Sequence, residues 1–279
     1  MAVENRYFVA GSRLAVVFPL DQTTGRIAAT STTPLYGYIP FGFKGFAGNF
    51  PAPRKITHIG QDGVRQLDWL PPLDAADGAM TVSSTDLDLI SLVSGVTTET
   101  IGTAKVIPVL SSQQGFEPVV GVQLVRQAET TGGLRRWESF IFSAAKAIYM
   151  PASFTADLSD ITYQIAPLIT TQRLWGPDWT VATNNTTTAQ MAQFASIGFP
   201  YLVAWKADGT ATDFLFDVDK PAINNTTAFI GVWQTDPSTN ICTSATVTKA
   251  VTKITYAVAP AIGTIITAMY EGTMQVRTS

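Results

Sequence analysis

The residues able to carry acid-base chemistry in this chain are almost all carboxylates. It has one histidine, His58, and one cysteine, Cys242, which excludes a multi-histidine metal cage and an internal disulfide. A Ser/His/Asp or Cys/His centre would have to use His58. That residue lies in KITHIGQDGVRQLDW between two β-branched neighbours, with no positioned nucleophile indicated, and reads as a structural or surface strand residue. Cys242, in TNICTSATV, reads as a small buried hydrophobe. The carboxylate candidates are Asp86 and Asp88 in STDLDLI, Asp157 and Asp160 in FTADLSDITYQIAPL, and Asp213, Asp217 and Asp219 in TDFLFDVDK. Glycoside hydrolysis needs two carboxyls about 5–10 Å apart across a sugar, a pairing that any acidic chain offers by chance. DVD projects two carboxylates from one strand face, but the glycine-punctuated oxygen ligands of a calcium loop are missing. Gly42, Gly45 and Gly48 are spaced by aromatics with no GK[ST] after them, unlike a phosphate-binding loop. The expectation is therefore no enzyme, with no catalytic, cofactor-binding or metal site.

The elements that would position these residues are nearly all strands. RLAVVFPL (Arg13–Leu20) is a short apolar strand followed by a turn, DQTTGR. Lys55–Ile59 and Val64–Trp69 pair around GQDG, and Met80–Ser84 leads into DLDLISLV (Asp86–Val93), a strand or a short helix capped by Ser84 or Thr85. Lys105–Leu110 and Val119–Gln127 are β-rich, and the glycine pair of ETTGG turns the chain into RRWESFIFSA. There Trp137 and Ile141 occupy one face and Phe140 and Phe142 the other, which implies burial on both sides. Further on, Tyr201–Lys206, Phe214–Val218 and Ala228–Gln234 read as strands, and Thr188–Ile197 is the best helix candidate. The last residues read as a hairpin, Thr264–Tyr270 and Thr273–Arg277 about a turn at Glu271–Gly272. Asn184, Asn185, Asn224 and Asn225 begin N-x-[ST] sequons that read as polar turns.

Two stretches stand out. Thr32–Pro53 is rich in Pro, Gly and aromatics and too long for an ordinary connection. Its Tyr36, Tyr38, Phe41, Phe43, Phe46 and Phe50 are candidates for contact with a neighbouring subunit. In FTADLSDITYQIAPL the apolar positions change parity, from Phe154, Ala156 and Leu158 to Ile161, Tyr163 and Ile165. That demands a bend at Ser159–Asp160, with Asp157, Ser159 and Asp160 as its polar markers.

The fold class expected is mainly β, an antiparallel sandwich or barrel-like core with long loops and at most one or two short helices. Its expected parts are a core over 1–170, an inserted or appended β-rich module over 171–250, and strands over 251–279 that return to the core. Charged residues are only 14% of the 279, with net charge −3 and pI about 5.1, against about 25% charged in an ordinary soluble domain. Such a weakly charged surface is poorly protected against association, and burial against other copies is the simplest remedy. The longest weakly polar run, Tyr256–Tyr270, is broken by Pro260 and Gly263 and falls short of a membrane helix. MAVENRYFVAG lacks the basic head and apolar centre of a signal peptide, so assembly in a cytoplasm is expected.

The N-terminal strand with its long loop, the pair RRWESFIFSA and SFTADLSDITYQIAPL, and the late hairpin together resemble the tail tube (major tail) proteins of tailed bacteriophages. The likeness covers mainly Val3–Leu168 and the last strands, while 171–250 depart from the small members. The resemblance implies a virion structural protein assembled in the host cytoplasm, in which strands of neighbouring subunits join into a barrel. Hexameric rings then stack into a hollow tube that binds other tail proteins at its ends and conveys DNA without specific binding. It also implies that the Thr32–Pro53 loop contacts the adjacent ring, and that Asp157 and Asp160 face the lumen. A capsid, decoration or tail-fibre protein shares the low charge and β-rich pattern. A carbohydrate-binding module or glycosidase is the enzyme-class alternative.

Overall fold

The structure is a computed structural model that describes residues 7–49, 54–60, 63–70, 77–107, 117–130, 135–150, 160–179, 189–193 and 198–273. The first part of the chain forms β1 (Tyr7–Pro19), β2 (Phe43–Asn49), the hairpin β3 (Arg54–Gly60) and β4 (Gly63–Leu70), and β5 (Asp77–Val82). Helix α1 (Leu87–Ser94) follows, then a small hairpin, β6 (Glu99–Ile101) and β7 (Ala104–Val106). Next come three longer strands, β8 (Val119–Thr130), β9 (Arg135–Met150) and β10 (Ile161–Pro167). The rest contributes β11 (Gln190–Gln193), β12 (Phe199–Lys206), β13 (Asp213–Leu215), β14 (Phe229–Thr235), β15 (Cys242–Ser244), β16 (Thr248–Lys249), β17 (Lys253–Thr255) and β18 (Ile265–Gly272). The protein is mainly β, with antiparallel sheets, as its sequence indicates.

A large sheet runs in the order β1-β8-β9-β10-β5-β2, with β11 added beside β9. It curls, and Tyr38, ahead of β2, exchanges backbone hydrogen bonds of 2.8 and 2.7 Å with Val17 of β1. No ladder joins β1 to β2, so the curl does not close into a barrel. A second sheet, β12-β18-β14-β15, packs on part of it.

Strand alternation puts the two faces of the large sheet into two cores. Val16, Phe18, Val125, Trp137 and Ile141 point into the core shared with Leu202, Trp205, Ile266 and Met269 of the second sheet. Ala15, Val17, Val122, Phe142, Tyr163 and Ile165 point the other way, where Leu89, Ile90 and Val93 of α1 cover them. The both-face burial expected of RRWESFIFSA follows from this layering. Helix α1 begins where Asp86, rather than Ser84 or Thr85, accepts hydrogen bonds from the N–H groups of Asp88 (3.1 Å) and Leu89 (3.2 Å). It ends at Gly95, whose φ of 70° takes the left-handed turn.

Strand β9 changes parity partway. Val120 pairs with Ala145 and Val122 with Phe142, so Ser143 and Ala144 together oppose Gly121, and Phe142 and Ala145 both face the α1 side. The bulge frees polar groups that hold the segment above it. Ser143 Oγ accepts from Leu174 N (3.2 Å) and Ala144 O accepts from Leu168 N (2.9 Å). Leu174 then lies over Gly121, where a Cβ would sit 2.5 Å from its Cδ1.

Several expectations are corrected. Within the helix expected at 188–197, Gln190–Gln193 is strand β11, because the open edge of β9 offers it a ladder from Glu138 to Ile141. The turn expected at Glu271–Gly272 is absent. Both residues continue β18, which pairs with β12 on one side and β14 on the other. Strand β18 pairs within the second sheet, and its Ile266, Ala268 and Met269 pack in the core shared with β1, β8 and β9. Phe43–Asn49, inside the expected aromatic loop, forms strand β2 against β5. The expected bend at Ser159–Asp160 lies mostly outside the described residues. From Ile161 onward the strand alternates regularly, with Ile161, Tyr163 and Ile165 buried.

Candidate functional site

The second sheet covers only part of the large one. On the C-terminal part of β9 and on β10, β5 and β2, the face turned away from α1 is open, and its side chains stand in cross-strand rows. One row runs Met150, Thr162, Thr81, Gly45 and the next Ile148, Gln164, Ala79, Ala47. Ile148 is 41% exposed and Met150 47%. None of these residues is charged. The opposite face of the same strands is sealed by Met80, Val82, Ile161, Tyr163 and Ile165.

Charge appears only at the borders of this surface. Strand β2 carries Lys44, and the C-terminal part of β9 carries Lys146. Lys44 sits in the bulge between Phe43 and Gly45, and its Nζ lies 2.5 Å from Asp160 Oδ1. Lys146, of the same parity as Ile148, has its Nζ 4.0 Å from Glu117 Oε2. Asp77, exposed opposite Asn49, adds an acid at the lower edge. Among the described residues this surface carries mostly small or uncharged side chains and offers polyanions no unpaired cation.

The aromatic contact candidates are mostly committed to the chain's own fold. Tyr36 is buried, its hydroxyl 2.9 Å from that of Tyr270, and it accepts a 3.2 Å hydrogen bond from Asp217 N. Burial raises the Tyr36 phenol above its ordinary range. Tyr38 donates to Asp86 Oδ2 at 2.5 Å. Phe43 packs against the α1-side core, and Phe46 lies over Gly78 with its ring 5.6 Å from that of Phe142. Phe41 alone among the five described is well exposed, at 67%. Phe50, Asp157 and Ser159 lie outside the described residues.

The carboxylates are likewise engaged. Asp86 caps α1, and Asp88 pairs with Lys105. Asp213 accepts from Lys253 Nζ (2.7 Å) and Thr255 Oγ1 (2.6 Å), which together hold its carboxyl below the usual range. Asp217 and Asp219 both face Lys220. Partial burial pulls the Lys220 ammonium down, but those two hydrogen bonds prevail and leave it above its ordinary value. Cys242 is buried, which raises its thiol and makes it a poor nucleophile. Among the described residues no three His, Cys, Asp or Glu side chains gather where they could hold a metal ion, and no helix is long and apolar enough to cross a membrane.

Sequence reasoning missed the open sheet face. Its signal was present as missing charge at alternate positions, Thr162, Gln164 and Ala166 in ITYQIAP and Ala79 and Thr81 in DGAMTV. Comparison with protein-family models and with curated proteins finds no match to this chain.

Proposed function

We propose that this chain is a self-assembling structural protein of the tail tube kind, forming stacked hexameric rings whose hollow centre conveys DNA. The observation that carries the proposal is the open half-sheet, lined by small or uncharged side chains and backed by a sealed core. A solvent-facing sheet in a monomer is ordinarily protected by charge. This one instead suits the inner wall of a channel, where lysines facing phosphate would add attraction and friction. Six copies of a four-stranded surface supply about 24 strands, and at about 4.8 Å per strand they enclose a channel about 37 Å across between backbones, wider with strand tilt.

In this reading β9, β10, β5 and β2 face the channel, and the second sheet, packed on the same side of the large sheet, flanks the open surface and stiffens each subunit. The exposed Phe41 and the β6–β7 hairpin, with Ile101 64% exposed, are among the apolar groups available to the next ring. Other tail proteins close the tube at its ends, and the assembled particle belongs to a virion. Negative-stain electron microscopy of concentrated protein tests the proposal. Rings or tubes with a central hole are the expected images; shells, fibres or single particles refute it.

A further inference from the structure

Both lysines on the open sheet face have a carboxylate set against them, at opposite borders and from different parts of the chain. Lys44 meets Asp160, the residue ahead of β10, across β5, which carries no cation of its own. Lys146 meets Glu117, ahead of β8, whose side chain is only 10% exposed. Side chains of the Lys44–Asp160 pair are about half exposed, at 52% and 43%, so the pair adds little to folding stability. What it changes is the charge seen by anything facing the sheet.

We propose that Asp160 and Glu117 are charge masks, each neutralising the lysine beside it so that the face offers no cation to the phosphodiester backbone of duplex DNA. The inference rests on the channel-lining reading and assigns these two acids a role in it. Each lysine released onto a phosphate displaces condensed counterions and steepens the salt dependence of binding by about 0.9 in the log–log slope. A ring repeats the same lysine in one plane, so a sixfold assembly multiplies the effect to about 5 in slope.

The test measures retention of a short duplex DNA by assembled protein over a range of salt concentrations. It compares the native chain, Asp160→Asn, Glu117→Gln, and Asp160→Asn combined with Lys44→Gln. The native assembly is expected to retain little DNA. Asp160→Asn is expected to retain it strongly at low salt with a slope steeper by up to about 5, and the added Lys44→Gln to abolish that gain. Glu117→Gln is expected to give a smaller gain in the same direction, its pair being longer. Assemblies of normal size in which neither single variant changes retention would overturn the masking role and leave the tube reading standing. Loss of assembly in both single variants would also overturn it, by making the pairs structural clamps. Native protein that forms no rings would remove the tube reading itself, and the masks with it.

Discussion

Strand β9 crosses two environments, and the contrast between its ends organises the molecule. Around Trp137 and Ile141 the sheet has apolar cores on both faces, and the buried Gln123 Nε2 donates to Ser139 Oγ (2.9 Å) and to Pro200 O (3.3 Å). Beyond the bulge at Ser143–Ala144 one face stays sealed under α1 while the other carries Lys146, Ile148 and Met150 into the open. The bulge makes this possible. By changing parity it keeps small apolar residues, Ala145 and Ala147, directed at the α1 side, while the Ser143 hydroxyl and the Ala144 carbonyl pin 168–174 at the border between the covered and open parts. One strand therefore serves a private core and an open surface.

The sharpest challenge to that contrast compares two isoleucines on this strand. Ile141→Ala, at a fully buried position, is expected to cost about 2–5 kcal/mol by urea unfolding, from lost transfer energy and the cavity left behind. A cost near zero would mean the second sheet does not pack there. Next, Gly121→Ala is expected to cost about 1–3 kcal/mol, because the new methyl would drive into Leu174 where that side chain crosses the bulge. Asp86→Ala removes the α1 cap and should destabilise by about 1–2 kcal/mol, loosening the lid over the sealed face. Ile148→Ala, on the open side, should change stability by no more than about 0.5 kcal/mol. A large loss there would show that the open face is covered within the subunit.

The smallest effect is a pH dependence confined to acid, and it belongs to the covered side. In the β14–β15 turn, Asp236 Oδ1 accepts from Ser238 Oγ (2.6 Å), Thr239 N (2.9 Å) and Ser238 N (2.8 Å), which depress its carboxyl to about 2. An unfolded Asp titrates near about 3.9. Between those values the unfolded chain binds the extra proton, so this contribution is complete above about pH 4 and disappears as pH falls through about 2. The stability difference between native protein and Asp236→Ala should therefore shrink across that window, as read from urea midpoints at several pH values. A difference that stayed constant from neutral pH down to about 2 would contradict the assignment.

Much of the strand content was legible because alternation and β-branched runs mark it locally, as in Ile161, Tyr163 and Ile165. The errors have physical causes. The parity change in β9 is hidden by Ser143, Ala144 and Ala145, which are too small to reveal a face. TAQMAQFASI has helical spacing, but the free edge of β9 recruits Gln190–Gln193 as a strand, so tertiary pairing overrides local preference. Glu271–Gly272 looks like a turn. Gly272 is instead needed for close approach, since a Cβ there would sit 2.7 Å from Tyr201 Cδ2 and 2.8 Å from Pro221 O. The aromatics of Thr32–Pro53 were legible as a group but not their destinations, because Tyr36 and Tyr38 are held by partners 234 and 48 residues away. The open face was legible only as an absence of charge, which is weaker than any motif.

A reconstruction of the assembled particle at a resolution that separates strands tests the central claim most directly. The account predicts closed rings in which β10 and β5 line the central channel, with Thr162, Gln164, Ala79 and Thr81 facing inward. Rings in which those strands face outward or lie buried against a neighbour, or a chain that remains single at high concentration, would contradict it.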